Sequence, residues 1–206
     1  MRAVMAAFMY LTVGACANAA SHVPLVIFLG DSLTAGFGLP ADEAFPALVE
    51  QSLASTGRHV RVVNAGVSGD TTSGGLERVR VLMEQKPSVL VVGLGANDGL
   101  RGQPVDRIET NLRAIVKRGK AGGARVVLLG MRIPTSYGPD YTEAFAALYP
   151  RIAKAEGVDL MPFLLDGVAG IPDLNLDDGI HPNREGQRIV ADHVRSYVER
   201  AMKAKR

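Results

Sequence analysis

Five short runs of apolar residues recur along the chain, at 25–29, 60–63, 89–94, 126–131 and 158–161, each dominated by Val, Ile and Leu. They are nearly continuous in hydrophobicity and do not alternate, the pattern expected of parallel strands covered on both faces. Between them the period changes. Val105, Ile108, Leu112 and Ile115 recur every three to four residues, as do Tyr141, Phe145, Leu148 and Ile152, and finally Val190, Val194, Tyr197 and Ala201. Such spacing gathers apolar side chains on one stripe of a helix. Pro104 stands where a helix can start, and Gly119 and Gly157 where helices can stop. Strand and helix alternating through five repeats predict one doubly wound parallel α/β sheet, without a linker or an internal repeat.

The first residues break this pattern. Arg2 is followed by an 11-residue apolar run and then by GACANAASH. A short basic start, an apolar stretch and Ala17-Asn18-Ala19 as an A-x-A site read as an export signal spanning 1–19. The run is too short to span a bilayer, which takes about 20 apolar residues. The domain is then 20–206, and the protein is expected in the periplasm or outside the cell. Cys16, the single cysteine, lies in this segment, within a Val13-Gly14-Ala15-Cys16 run that loosely resembles a lipoprotein signal. It is read either as a small residue of the signal or as a lipid anchor. Beyond the signal no segment is apolar enough to cross a membrane.

A net charge of +2 with scattered basic residues leaves no electrostatic footprint for nucleic acid. The basic tail at 203–206 reads as a solvated helix end. The four histidines include no H-E-x-x-H pair, and no phosphate-loop signature is present, so neither metal nor organic cofactor is implied.

Parallel sheets place ligands beyond the carboxyl ends of their strands. Four Gly-rich polar clusters lie there: Gly30-Asp31-Ser32-Leu33, NAGVSGDTT from Asn64, GLGAND from Gly93, and DDGIHPN from Asp177. Acyl transfer needs a nucleophile, a base, a group that orients the base, and oxyanion donors. Ser32 is a candidate nucleophile, His181 a candidate base, and Asp178 can reach the imidazole across a turn that Gly179 permits. Gly69 can bring a backbone N–H close to a ligand, and the Asn97 amide can donate beside it. Each has a plainer reading as well. A serine after a strand is commonly a helix cap, Asp-x-x-His is often a surface pair, and Asp70, Thr71 and Thr72 read as caps of the next helix. His193 is expected to be partly packed on the last helix, without a role. The Ser32 surroundings lack the second glycine of G-x-S-x-G, since Thr34 stands there, which argues against an α/β-hydrolase elbow.

Taken together, LGDSLTAGFGLP, NAGVSGDTTSGGLERV, LGANDGLRG, MRIPTSYGPDYTEAF and DDGIHPN resemble the SGNH (GDSL) hydrolase family over nearly the whole mature chain. Within that family they are similar to the bacterial group of thioesterases, lysophospholipases and arylesterases. The resemblance implies a single flavodoxin-like three-layer α/β/α domain with a five-stranded parallel sheet. It implies a serine esterase acting on small acyl esters and thioesters, with Ser32, Asp178 and His181 as the triad and Ser32, Gly69 and Asn97 as oxyanion donors. By the same alignment Ile133 and Tyr137 line an acyl groove, and the 99–104 loop moves when acyl chains bind; loop packing and a solvated loop are the alternatives. Ala96 departs from the usual glycine of that motif. Asp177 is the rival of Asp178. Two other functions stay open: a carbohydrate O-deacetylase, poorly served by a chain with no Trp, and a non-catalytic flavodoxin-like binding module.

Overall fold

The computed structural model describes residues 23–203; the expected signal at 1–19, Cys16 and the last three residues of the basic tail lie outside them. Five parallel strands form one sheet: β1 (Leu25–Gly30), β2 (Arg61–Gly66), β3 (Val89–Gly93), β4 (Arg125–Leu129) and β5 (Asp159–Met161). Their spatial order is β2-β1-β3-β4-β5. The register places Gly30 of β1 between Gly66 of β2 and Gly93 of β3, so the three strands end level.

Every residue of β1 and β3 is buried, as their unbroken hydrophobicity requires. β2 departs from expectation. It starts one residue later than its apolar run, continues through Asn64 to Gly66, and none of its residues is fully buried. An edge position with a thin covering on one side explains why Arg61 and Asn64 are tolerated there.

Among the described residues seven α-helices connect and cover the strands: α1 (Ser32–Ala35), α2 (Phe45–Ser55), α3 (Thr72–Met83), α4 (Ala96–Leu100), α5 (Val105–Ala121), α6 (Pro139–Glu156) and α7 (Arg184–Lys203). α2 and α7 pack together on one face of the sheet, and α3, α5 and α6 on the other, giving three layers. The periodic positions behave as read. Ile108, Leu112 and Ile115 are buried on α5, Phe145, Leu148 and Ile152 on α6, and Val190, Val194 and Ala201 on α7.

Pro104 occupies the cap position before α5, and Gly157 ends α6 in the left-handed conformation at φ 63°. Gly119 does not end a helix. It lies inside α5, which runs on to Ala121, and a Cβ there would stand 2.8 Å from Leu90 and 2.9 Å from Val126. The missing side chain lets α5 lie close against the sheet. The buried Gln187 of α7 accepts a hydrogen bond from the Phe45 N–H at 2.8 Å, fixing the start of α2 on the opposite helix.

Candidate active site

The chain leaves β1 for β2 on one side and returns for β3 on the other, so the switch point lies between β1 and β3. The loops there carry the clusters singled out above. Ser32 is the first residue of α1. The cap is its neighbour Asp31, whose Oδ1 accepts the Leu33 N–H at 3.0 Å. Capping by Asp31 frees the Ser32 hydroxyl, which stands 2.8 Å from His181 Nε2.

His181 lies on a small hairpin before α7. The Leu176 N–H donates to the His181 carbonyl at 2.8 Å, and the Gly179 N–H to that of Leu176 at 2.8 Å, with Gly179 at φ 72° closing the turn. Asn183 caps α7 by accepting the Glu185 and Gly186 N–H groups, which anchors the hairpin to a long helix. Asp178 Oδ1 accepts the Ile180 and His181 N–H groups at 3.0 Å each, and its Oδ2 lies 2.7 Å from His181 Nδ1. The Ile180 N–H, the imidazole and the His181 N–H together pull the Asp178 carboxyl down to about 2. An ionised Asp178 only accepts, so Nδ1 carries the proton and Nε2 is free to accept from Ser32. The Phe37 ring packs against the imidazole, with centroids 4.5 Å apart. Asp177 makes none of these contacts.

Gly69 and Asn97 face the same cleft as Ser32. Gly69 takes φ 79°, and Arg101 Nη2 donates to its carbonyl at 3.0 Å. Asn97 sits on the short α4, with its Nδ2 donating to the Asp70 carbonyl at 3.0 Å and, more loosely, to Asp31 Oδ2 at 3.4 Å. The cap preceding this helix is Gly95 at φ 115°, packed so closely that a Cβ would lie 2.4 Å from the Tyr149 hydroxyl. Ala96 therefore begins the helix and lines the cleft without displacing the amide behind it.

Of the three residues read as helix caps, only Thr71 caps α3, accepting from the Gly74 N–H. Asp70 pairs with Arg78, which also donates to the carbonyls of Ala65 and Gly30 and so pins the ends of β1 and β2. Thr72 is buried and donates its hydroxyl to Asp98 at 2.7 Å. Both arrangements brace the loops that present Gly69 and Asn97.

The cleft holds about 590 Å³ and is walled chiefly by apolar groups, among them Leu33, Met131, Ile133, Phe163 and Leu165. Ile133 lies in this wall, 9% exposed. Tyr137 does not line it. Its hydroxyl instead donates to the Leu100 carbonyl at 2.7 Å, so it steadies a wall residue from outside. Tyr141 likewise donates to the Gln103 carbonyl at 2.6 Å, tying down the far end of the same loop. His193 is exposed on α7 rather than partly packed. It faces a shallow second hollow with Arg132 and Ser196, because its position falls off the buried stripe of Val190, Val194 and Val198. Among the described residues, no three His, Cys, Asp or Glu side chains converge as metal ligands.

Sequence reasoning missed Asp31 as a distinct element of the site. Asp31 is 1% exposed with no salt-bridge partner among the described residues, and burial pushes its carboxyl up to about 6 against hydrogen bonding from Leu33. The signal that could have found it was a carboxylate immediately after an unbroken apolar strand.

A model of the GDSL-like lipase/acylhydrolase family matches residues 28–189. The chain belongs to the GDSL-like lipase/acylhydrolase family. As a family member it is an ester hydrolase. It is 42% identical over 178 residues to esterase TesA of Pseudomonas aeruginosa, covering 86% of this chain and 88% of that protein. It is also 42% identical over 181 residues to thioesterase 1/protease 1/lysophospholipase L1 of Escherichia coli K12, covering 87% and 86%. Among solved structures, the psychrotrophic esterase EstA from Pseudoalteromonas sp., inhibited by monoethylphosphonate, superposes with a TM-score of 0.83. That pair shares 34% identity, over 87% of this chain and 99% of the other. The expected flavodoxin-like three-layer architecture and the esterase class of this GDSL-like acylhydrolase thus agree with fold and family.

Proposed function

We propose that this enzyme hydrolyses carboxylic esters and thioesters with Ser32 as nucleophile, His181 as general base and then general acid, and Asp178 as the group that orients the imidazole. The observation that carries this reading is the unbroken chain Ser32 Oγ, His181 Nε2, His181 Nδ1, Asp178 Oδ2 at the floor of an apolar cleft. His181 takes the Ser32 proton as the oxygen attacks the carbonyl, and Asp178 stabilises the imidazolium. The oxyanion lies against the Ser32 and Gly69 N–H groups and the Asn97 amide. His181 then protonates the departing alcohol or thiol, and water resolves the acyl-enzyme. The apolar wall with Ile133 favours substrates with a medium or long acyl chain over acetylated sugars.

Residues 1–19 are proposed to direct export, on the strength of their basic start, apolar run and A-x-A site. Among the described residues, no helix is long and apolar enough to cross a membrane.

The test is kcat/KM on p-nitrophenyl esters from acetate to palmitate, with Ser32→Ala as the blank. An optimum at medium or long chains that vanishes in the variant is expected. Turnover confined to acetate favours a deacetylase, and turnover surviving in Ser32→Ala overturns the assignment of Ser32.

A further inference from the structure

Among the described residues, eight large apolar side chains stand exposed. Two lie apart, Val23 at the start and Val81 on α3. The other six, 38–53% exposed, line the cleft or adjoin residues that line it. Phe37, Leu100 and Ile180 form part of its wall. Val67 precedes Ser68 and Ile171 follows Gly170, both wall residues, and Tyr137 is bonded to Leu100. They come from five separate connections at one end of the sheet, Ile171 and Ile180 sharing the last, so no single loop accounts for the concentration. Exposed apolar patches of this kind mark interaction surfaces.

What covers such a ring also covers the cleft. A second copy of the chain or another protein seated there would shut substrate out. A lipid surface would not, because it can itself supply an ester whose acyl chain passes into the cleft without crossing water. The charges nearby are mixed: Arg132 of the wall stands exposed, as do Arg101, next to wall residue Leu100, and Asp177, two residues before wall residue Gly179. Arg132 stacks on Phe163, 4.9 Å from the ring centroid, with no carboxylate of the described residues in contact. A rim with both signs matches a zwitterionic headgroup layer better than a strongly anionic one.

We propose that this ring seats the enzyme on a zwitterionic phospholipid surface, with the mouth of the cleft facing the lipid. The proposal rests on the reading of the cleft as the acyl-binding site.

The experiment is co-sedimentation of Ser32→Ala protein, which leaves the lipid intact, with phosphatidylcholine/phosphatidylethanolamine vesicles. It is repeated with Val67→Glu and Ile171→Glu added together. Both positions lie outside the catalytic and acyl-binding groups. Binding is expected, and the two charges should lower the partition coefficient about tenfold or more, since apolar side chains seated at the interface are replaced by carboxylates. In the Ser32-intact enzyme, the same two changes should leave p-nitrophenyl acetate hydrolysis unchanged, which also reports a correct fold, and reduce hydrolysis of vesicle-borne ester in step with binding. No vesicle binding by the Ser32→Ala protein overturns the proposal, as does equal binding by the charged variant. A dimer dissolved by the two charges, with no lipid binding, assigns the ring to a second copy instead. Failure of the nucleophile assignment would show separately, as soluble-ester turnover persisting in Ser32→Ala.

Discussion

Replacing Asp31 by asparagine should stabilise the protein at alkaline pH while impairing it as a catalyst. Asp31 is 1% exposed and has no salt-bridge partner among the described residues, and burial raises its carboxyl from its ordinary 3.8 to about 6. A group that binds its proton more tightly in the folded state adds stability fully below its unfolded value. That stability is lost as pH rises through the folded value, so the window is about pH 4 to 6. That rise, at about 1.36 kcal/mol per pH unit, leaves the folded state ~3 kcal/mol weaker above pH 7 than at pH 4. Asparagine is isosteric and neutral at every pH, and its side-chain oxygen can still accept the Leu33 N–H. What it forfeits is the acceptor for the Asn97 amide, a long contact at 3.4 Å worth at most about 1 kcal/mol. A net gain of ~2 kcal/mol at pH 8 follows, or roughly 4–8 °C in Tm for a domain of this size.

Urea unfolding of both proteins at pH 4 and pH 8 measures it. The gain should appear at pH 8 and be absent at pH 4. An equal difference at the two pH values would refute the reasoning, because a pH-independent effect cannot arise from titration of Asp31. At the same time kcat should fall with KM little changed, since the amide introduced by Asp31→Asn faces the amide of Asn97 and sets two donors against each other.

Asn97→Ala should lower kcat about 10²–10³-fold, the usual effect of losing one oxyanion donor; a change confined to KM would remove Asn97 from the oxyanion site. Asp178→Asn should abolish most turnover and Asp177→Asn very little, and comparable losses in kcat would displace Asp178 as the orienting group. Because Asp178 is held down to about 2, its carboxylate should stay ionised between pH 4 and pH 8 when followed by NMR. A titration of the Asp178 carboxyl in that range would contradict its ionised state. Gly95→Ala should destabilise the fold by about 1–3 kcal/mol, since φ 115° disfavours any side chain and a Cβ would stand 2.4 Å from the Tyr149 hydroxyl. An unchanged Tm would show that α4 yields without strain.

The linear pattern was informative where one residue type serves one purpose. β1 and β3 read as buried strands because burial on both faces leaves no polar position for alternation to show. α5, α6 and α7 read as helices because each buries a single stripe. Ser32, Gly69, Asn97, Asp178 and His181 could be named because strand ends and glycines mark where a parallel sheet opens. The pattern was ambiguous where one glycine has two uses. Gly119 reads as a stop, and only the nearness of Leu90 and Val126 shows it to be a site of close packing. It was silent on α1 and α4, which are too short to carry a period.

By itself, then, the sequence determined the layer architecture and the residue types of the site, because periodicity and turn chemistry are local. Tertiary structure decided everything that depends on distance between remote segments. It brought His181 to 2.8 Å from a serine 149 residues earlier, put Asp31 beside Asn97, and moved Tyr137 from the cleft wall to its support. It also gathered the exposed Phe37, Leu100 and Ile180 from three connections to the wall of one cleft. None of these has a signature along the chain, since each is a relation between strand ends that only the order β2-β1-β3-β4-β5 makes neighbours.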